Sequence, residues 1–454
     1  MIARSLIILG AAGDLTQRLL LPGLDGVLAQ AERAGRDDPL ELIGVGQHAV
    51  PVEKWRARVR AALGAGPLRD GVVADTRFVE ADATDPDALR ALLESAEYDP
   101  LLYFALPPAV TEKAVAALAH CDLSPGTRLA LEKPFGVDGD AAARLNGALA
   151  ELLPESRTHR IDHFLGLATV VNLLGLRFAN RPFAALWSAE HVERVDIVFD
   201  ETLALEGRAG YYDGAGALVD MIQSHLLLVH ALVAMEAPDS LEADDLHDAM
   251  MRALERTHVR GDAARASRRA RYTAGEVDGA RVPDYADEDG VDPERGTETL
   301  AELDLDVESP RWVGVPFTVR SGKALGSPLT ELRLTLKPVE NRPRGLHGEQ
   351  PPAVIRIALE PERLSLDLDI NGAGDPFDLD RVSLTTDFGA GELSAYGEVL
   401  SGILTGDDTL SVRGDLAERC WRIVEPVLEA WRADRVVLEE YPAGSAGPEH
   451  WHAR

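Results

Sequence analysis

Between Arg160 and Glu236 the chain carries Asp162, His163, Glu201, Asp220 and His225, carboxylates and imidazoles spaced as in a site that oxidises a sugar. Asp162 and His225 read as its acid/base partners. Hydride can leave an alcohol carbon only as the hydroxyl proton is taken up, and imidazole is suited to that task near neutrality. The hydride needs an acceptor, and the chain opens with a nucleotide-binding pattern, G-A-A-G-D-L at Gly10 to Leu15. Gly10 and Gly13 let the backbone approach a pyrophosphate, while Asp14 and Leu15 start a helix whose N-terminus offers unpaired N–H groups and a positive dipole end. Such a turn also joins strand to helix with no ligand, so its weight comes from the rest of the chain. Together the two patterns indicate a dehydrogenase.

The end of the second strand normally selects between nicotinamide cofactors: an acid binds the free ribose hydroxyl, and an arginine pairs with the extra phosphate. Here the string is I-G-V-G-Q-H. Gln47 can bond a ribose hydroxyl but cannot neutralise a dianion, so NAD(P) use leans to NAD unless Arg18 or a loop arginine supplies charge. Pro107 in L-P-P-A and Lys133 in L-E-K-P-F-G each follow a strand, at the sheet edge where open α/β folds bind ligands. Lysine is scarce, limited to Lys54, Lys113, Lys133, Lys323 and Lys337, which makes one inside a motif informative. Pro134 suits a rigid turn, with a cis bond as one option.

These groups need a frame. Residues 1–155 alternate short apolar runs (Ser5–Leu9, Leu40–Val45, Arg77–Glu80, Leu101–Leu106, Arg128–Leu131) with amphipathic stretches (Thr16–Ala34, Val52–Leu63, Asp85–Ser95, Thr111–Ala119, Gly139–Leu152). That rhythm predicts an α/β Rossmann-type dinucleotide-binding domain with a parallel sheet. Residues 156–454 read as an α+β substrate and dimerisation domain. An apolar helix, Ala215–Met235, must be buried there, and Trp312–Arg320, Leu329–Lys337, Ala353–Leu359, Leu364–Ile370 and Arg381–Thr386 follow one another as strands of a large, mainly antiparallel sheet. Residues 263–296, polar and rich in Arg, Asp and Gly, read as a surface excursion.

At 454 residues with 46% apolar and 27% charged content, two globular domains are the default. A formal charge of −30 excludes nucleic acid and anionic membrane surfaces as partners. Cys121 and Cys420 make neither a disulfide framework nor a zinc site, so no metal is expected. With no signal-type leader and no membrane-spanning apolar run, the cytoplasm is the expected compartment.

Taken in order, G-A-A-G-D-L-T-Q-R, Y-F-A-L-P-P, L-E-K-P-F-G, R-I-D-H-F-L-G, R-F-A-N-R-P-F, E-G-R-A-G-Y-Y-D, D-M-I-Q-S-H, R-W-V-G-V-P-F with R-S-G-K-A-L, and A-G-S-A-G-P resemble glucose-6-phosphate dehydrogenases over essentially the whole chain. The resemblance implies hydride transfer from the anomeric carbon of a hexose, glucose 6-phosphate, to NAD(P), giving the 1,5-lactone. It implies His225 as general base and Asp162 as the carboxylate that orients it. Lys133, His163, Glu201, Asp220 and Lys323 become the sugar-binding set, and a homodimer or homotetramer the assembly. His230, close by on the same helix, is assigned to packing.

Two positions depart from the family pattern D-H-Y-L-G-K-E, since this chain has Phe164 and Leu167 where a tyrosine and a lysine join the histidine on the substrate phosphate. A further arginine, past R-S-G-K, is replaced by Pro328. Each lost charge-assisted contact weakens binding by roughly 1.5 to 3 kcal/mol, one to two decades in affinity. Three readings stay open: a glucose-6-phosphate dehydrogenase with a rebuilt phosphate pocket, recruiting an arginine such as Arg177 or Arg181; an enzyme for an unphosphorylated or differently substituted aldose; and a non-catalytic paralogue, against which the retained Asp162, Lys133, Asp220 and His225 argue.

Overall fold

The structure, a computed structural model, describes residues 4–205, 207, 209–349, 351–359, 361–387 and 391–452; Glu206 and Arg208 of the E-G-R-A-G-Y-Y-D string lie outside the described residues. The chain divides into two compact units. The first comprises residues 1–167, 238–249 and 391–418, and the second residues 168–237, 250–390 and 419–454.

Strand β1 (Ser5–Leu9) is buried at every position, as its unbroken apolar run requires of a strand covered on both faces. With β2 (Glu41–Gly46), β3 (Arg77–Glu80), β4 (Pro100–Phe104), β5 (Arg128–Glu132) and β6 (Thr158–Ile161) it forms a six-stranded sheet in the order β3-β2-β1-β4-β5-β6. All five pairings are parallel. The order reverses between β1 and β4, the place where doubly wound sheets open a crevice at their carboxyl ends. Strand β6 lies past residue 155, where the sequence suggests a division, and its pairing with β5 keeps it in this unit.

Helix Ala395–Thr405 also returns to the first unit. Tyr396, Val399, Leu400, Ile403 and Leu404 join the core that contains Leu21, Leu24 and Leu28 of helix Leu21–Arg33. The approach is close because glycines meet there. A Cβ on Gly23 would stand 3.2 Å from the Gly397 nitrogen, and one on Gly166 2.4 Å from the Ala395 carbonyl oxygen.

In the second unit, strands β7 (Val192–Asp200), β8 (Thr257–Val259) and β9 (Ser267–Thr273) precede a small hairpin of β10 (Gly275–Val277) and β11 (Ala280–Val282). Strands β12 (Leu300–Val307), β13 (Phe317–Gly322), β14 (Leu329–Leu336), β15 (Val354–Ala358), β16 (Arg363–Asn371), β17 (Leu379–Asp387) and β18 (Leu438–Pro442) follow. Their sheet runs β17-β16-β15-β14-β7-β13-β12-β9-β18, with β8 beside β12. It is mostly antiparallel, with β7–β13 and β9–β18 parallel.

Two expectations need correction. Residues 263–296 are a surface excursion only in part: β9 is a sheet strand with Ala270 and Tyr272 fully buried, while 278–281 and 292–295 are exposed. Trp312 does not begin a strand: Gly314 has φ +82°, which extended backbone excludes, and the buried Trp312 indole donates to the Ala234 carbonyl at 2.9 Å. The stretch Ala209–Ala234 is long and apolar enough to cross a membrane, yet it is a core helix, 89% buried in its most apolar window.

Candidate active site

The glycine turn is built by close approach. Gly10 has φ +84°, and a Cβ there would meet the Ala105 carbonyl oxygen at 2.2 Å, so no other residue fits beside the end of β4. The Gly10 and Ala11 N–H groups bond the Val45 carbonyl, and the Gly13 N–H bonds that of Gly10, which curls the chain into the helical turn that starts at Asp14. Gly13 and Asp14 are exposed, while Leu15 packs on the core. Pro107 precedes helix Pro108–Leu118, so a second helix N-terminus follows the carboxyl end of β4. This cradle of bare backbone and two helix starts suits the pyrophosphate of NAD(P). Gln47, at the end of β2, is exposed and hydrogen-bonded to Asp82, whose carboxylate also accepts from the Thr84 N–H and hydroxyl at 2.8 Å. Those bonds hold Asp82 below the usual carboxylate range, so the neighbour of Gln47 is a fixed anion.

Elsewhere in the first unit, Lys133 follows β5 and is joined to Pro134 by a cis peptide bond. The turn is locked by Gly136 (φ +79°), where a Cβ would meet the Ala142 nitrogen of helix Gly139–Leu152 at 2.4 Å. Asp162 follows β6 directly, is fully buried, and accepts the Phe164 N–H at 3.0 Å as the cap of the short turn His163–Gly166. The His163 ring stacks on Tyr396, centroids 5.2 Å apart and planes 17° from parallel, with the Phe164 edge on its flank. Glu132, the last residue of β5, accepts from the Tyr103 and Tyr396 hydroxyls. Burial pushes its carboxyl up to about 7, against the hydrogen bonds and Lys133, and with repulsion from Asp162.

In the second unit the buried helix is kinked at Gly216 (φ +69°), where a Cβ would collide with the Glu298 carboxylate at 2.3 Å. Glu298 instead accepts the Leu218 N–H at 3.0 Å and so anchors the start of a π-type turn, Leu218–Leu226, that carries Asp220 and His225. In α-geometry residues five apart diverge around the axis. A π-turn closes i to i+5, which brings Asp220 and the buried His225 toward one face. Burial lifts Glu298 to about 7, opposed by the Leu218 N–H. Glu201 and Lys323 stand at the carboxyl ends of the parallel strands β7 and β13 and form an ion pair of 2.6 Å, with the Lys323 ammonium 5.4 Å from the centre of the Tyr212 ring.

Within the second unit, two of the proposed sugar ligands, Glu201 and Lys323, are directly paired. His230 is a packing residue: its Nε2 bonds Thr257 Oγ1 at 2.9 Å, its ring meets Phe317 edge-on, and burial lowers it to about 3, leaving it neutral. Arg177 cannot serve a substrate phosphate. It is buried and donates to the carbonyls of Leu232 and Met235, capping the end of helix Leu227–Ala234. Sequence reasoning passed over Tyr103, Glu132, Tyr396, Asp82 and Glu298. Glu132 lay inside the E-K-P-F-G string, but Tyr396 carried no signal visible at its distance from His163.

Two family profiles match: the glucose-6-phosphate dehydrogenase NAD binding domain over residues 7–172 and its C-terminal domain over 174–453. Among curated relatives, a glucose-6-phosphate 1-dehydrogenase of Gluconobacter oxydans is 40% identical, covering 98% of this chain and 94% of its own length. One from Treponema pallidum is 36% identical, with 98% and 92% covered. Among solved structures, a glucose-6-phosphate dehydrogenase in complex with its substrate glucose 6-phosphate superposes with a TM-score of 0.88 at 26% identity, covering 99% and 96%. The glucose-6-phosphate 1-dehydrogenase of Mycobacterium avium gives 0.84 at 31%, covering 100% and 96%. Both domains, in sequence and in fold, thus lead to one conclusion: the chain belongs to the glucose-6-phosphate dehydrogenase family and is an oxidoreductase with an NAD(P)-binding domain.

Proposed function

We propose that the chain oxidises the anomeric carbon of a hexose, glucose 6-phosphate by its family, to the 1,5-lactone, with NAD as the preferred acceptor. The observation that carries this reading is the buried His225 on a π-turn with Asp220 one π-turn before it. His225 takes the anomeric hydroxyl proton as hydride departs, and Asp162 serves as the carboxylate that keeps the base in one tautomer and stabilises its protonated form. Carboxylates Glu201 and Asp220 accept from sugar hydroxyls, while Lys133, His163 and Lys323 donate to sugar oxygens. Gly10, Gly13, Asp14, Leu15, Gln47, Pro107 and Lys133 would hold the nicotinamide cofactor, which supplies the hydride acceptor. The preference for NAD is supported by the Gln47–Asp82 bond, which puts an amide and an anion where a 2′-phosphate would require a cation.

A second reading, oxidation of an unphosphorylated aldose, is favoured by Phe164 being buried and without a hydroxyl, by Leu167 in place of a cation, and by Arg177 being committed to a helix end. Steady-state kinetics with glucose 6-phosphate, glucose and other aldoses, each with NAD and NADP, tests both. A kcat/KM for free glucose above that for its phosphate discards the first reading in favour of the second. Failure to turn over any aldose discards both. We also read the enzyme as a cytoplasmic homodimer or homotetramer. Cys121 and Cys420 are not joined in a disulfide, and Ile370, Phe377 and Leu384 leave an exposed apolar area on and between β16 and β17 for a second copy. Light scattering measures the assembly.

A further inference from the structure

Tyr396 touches two proposed sugar-site elements of the first unit at once. Its ring lies against His163 at 5.2 Å and 17°, and its hydroxyl bonds Glu132, the residue just before Lys133. Its place is set by backbone contacts. Helix Ala395–Thr405 is capped by Ser394, whose hydroxyl accepts the Gly397 N–H at 3.2 Å. The helix start is pressed against Gly166, in the same short turn as His163, where only a glycine admits the Ala395 carbonyl. Tyr103 of β4 also donates to Glu132, so this carboxylate receives two phenol hydroxyls. An enclosed carboxylate with two donors keeps one orientation, and so does the backbone that leads into Lys133.

Resting on the reaction assigned above, we propose that Tyr396 and Glu132 act as a positioning pair: the tyrosine ring sets the plane of His163, and the tyrosine-held carboxylate sets the Lys133 turn and pairs electrostatically with its ammonium. The charge on Glu132 is then a working part of the site. Groups facing it are Tyr103 from β4, Lys133 on its own turn, Asp162 from the end of β6 and Tyr396 from the returning helix. Burial and Asp162 favour the neutral acid, whereas the two hydroxyls and Lys133 favour the carboxylate. Tyr396 itself is held above the ordinary phenol range by burial and by the Glu132 and Asp162 charges, so it stays a donor.

Tyr396→Phe keeps the stack and deletes one donor to the charged carboxylate. Its expected signature is an acid limb of kcat/KM moved up by about one pH unit, the size expected of one such hydrogen bond. The thermal midpoint should stay near wild type. Tyr396→Leu loses the stack as well, and sugar KM should rise about tenfold. Glu132→Gln, neutral at every pH, should lower kcat/KM at high pH and remove the contribution of this group to the acid limb. An unmoved acid limb in Tyr396→Phe, or an activity loss in Tyr396→Leu that merely tracks a fall in thermal midpoint, overturns the proposal. A wild-type chain inactive on every aldose defeats the assigned reaction instead, before any variant is compared.

Discussion

Gln47 offers the sharpest test of cofactor choice, because its partner is visible. Replacing it with arginine places a guanidinium where a 2′-phosphate would need it, a charge-assisted contact worth roughly 1.5 to 3 kcal/mol. The same guanidinium also inherits Asp82, now bonded to Gln47 and fixed by Thr84. An exposed ion pair is worth about 0 to 1 kcal/mol, and that sum must be surrendered before the phosphate is engaged. Gln47→Arg alone should therefore raise kcat/KM for NADP by about 1 to 2 kcal/mol, some 5- to 30-fold. Combined with Asp82→Asn, which keeps the side-chain shape and removes the competing anion, the gain should reach roughly 10- to 150-fold, while kcat/KM for NAD changes little. The assay is initial rate against cofactor concentration at saturating sugar, at low ionic strength and at 0.15 M, where screening should reduce both gains. If the double variant is no better with NADP than the single one, Asp82 has no part in selectivity. If the wild type already prefers NADP, the whole account of this strand end is wrong.

His225→Asn should lower kcat by about two to four decades with the fold intact by circular dichroism; turnover within tenfold of wild type would remove it as the base. Leu167→Lys with Phe164→Tyr should raise kcat/KM for glucose 6-phosphate by about two to four decades, one to two for each restored contact, and leave free glucose unaffected, whereas equal effects on both sugars would place these positions away from the phosphate. Glu298→Gln should alter stability in a pH-dependent way. The native state holds the Glu298 proton up to about 7 and the unfolded chain only to its ordinary 4.5, so the wild type loses up to about 3 kcal/mol as pH rises through that interval. The amide still accepts the Leu218 N–H and carries no such penalty, so thermal melts should show the variant gaining on wild type at pH 8 and not at pH 4. A constant offset at both pH values would contradict the assignment.

Much of this was legible in the residues because local chemistry left a local mark. The apolar β1 followed by Gly10 announces a parallel strand running into a phosphate-binding turn, and the close approach at Ala105 shows why glycine stands there. The Glu201–Lys323 pair joins two strings that the family pattern had already put in one site. Strand β9 escaped because R-R-A-R-Y looks solvated; in the fold Arg268 pairs with Glu302 at 3.1 Å, and Arg269 donates to the Val436 carbonyl and pairs with Asp434 at 3.6 Å, so both guanidinium groups have partners. Arg177 looked available for the same reason. Tyr396 could not be found from spacing, because its meeting with His163 depends on three glycines that let separate segments touch.

The returning helix also governs when the molecule can fold during synthesis. Residues 391–418 supply Tyr396, Val399, Leu400, Ile403 and Leu404 to the core begun by the first strands, so the nascent dinucleotide-binding portion has an open seam after residue 167 is made. Roughly 250 further residues must be translated before residue 418 emerges, about 12 to 50 seconds at typical elongation rates. Throughout that interval an apolar groove along helix Leu21–Arg33 stands unfilled on the ribosome, and a fragment ending at residue 167 would carry it permanently.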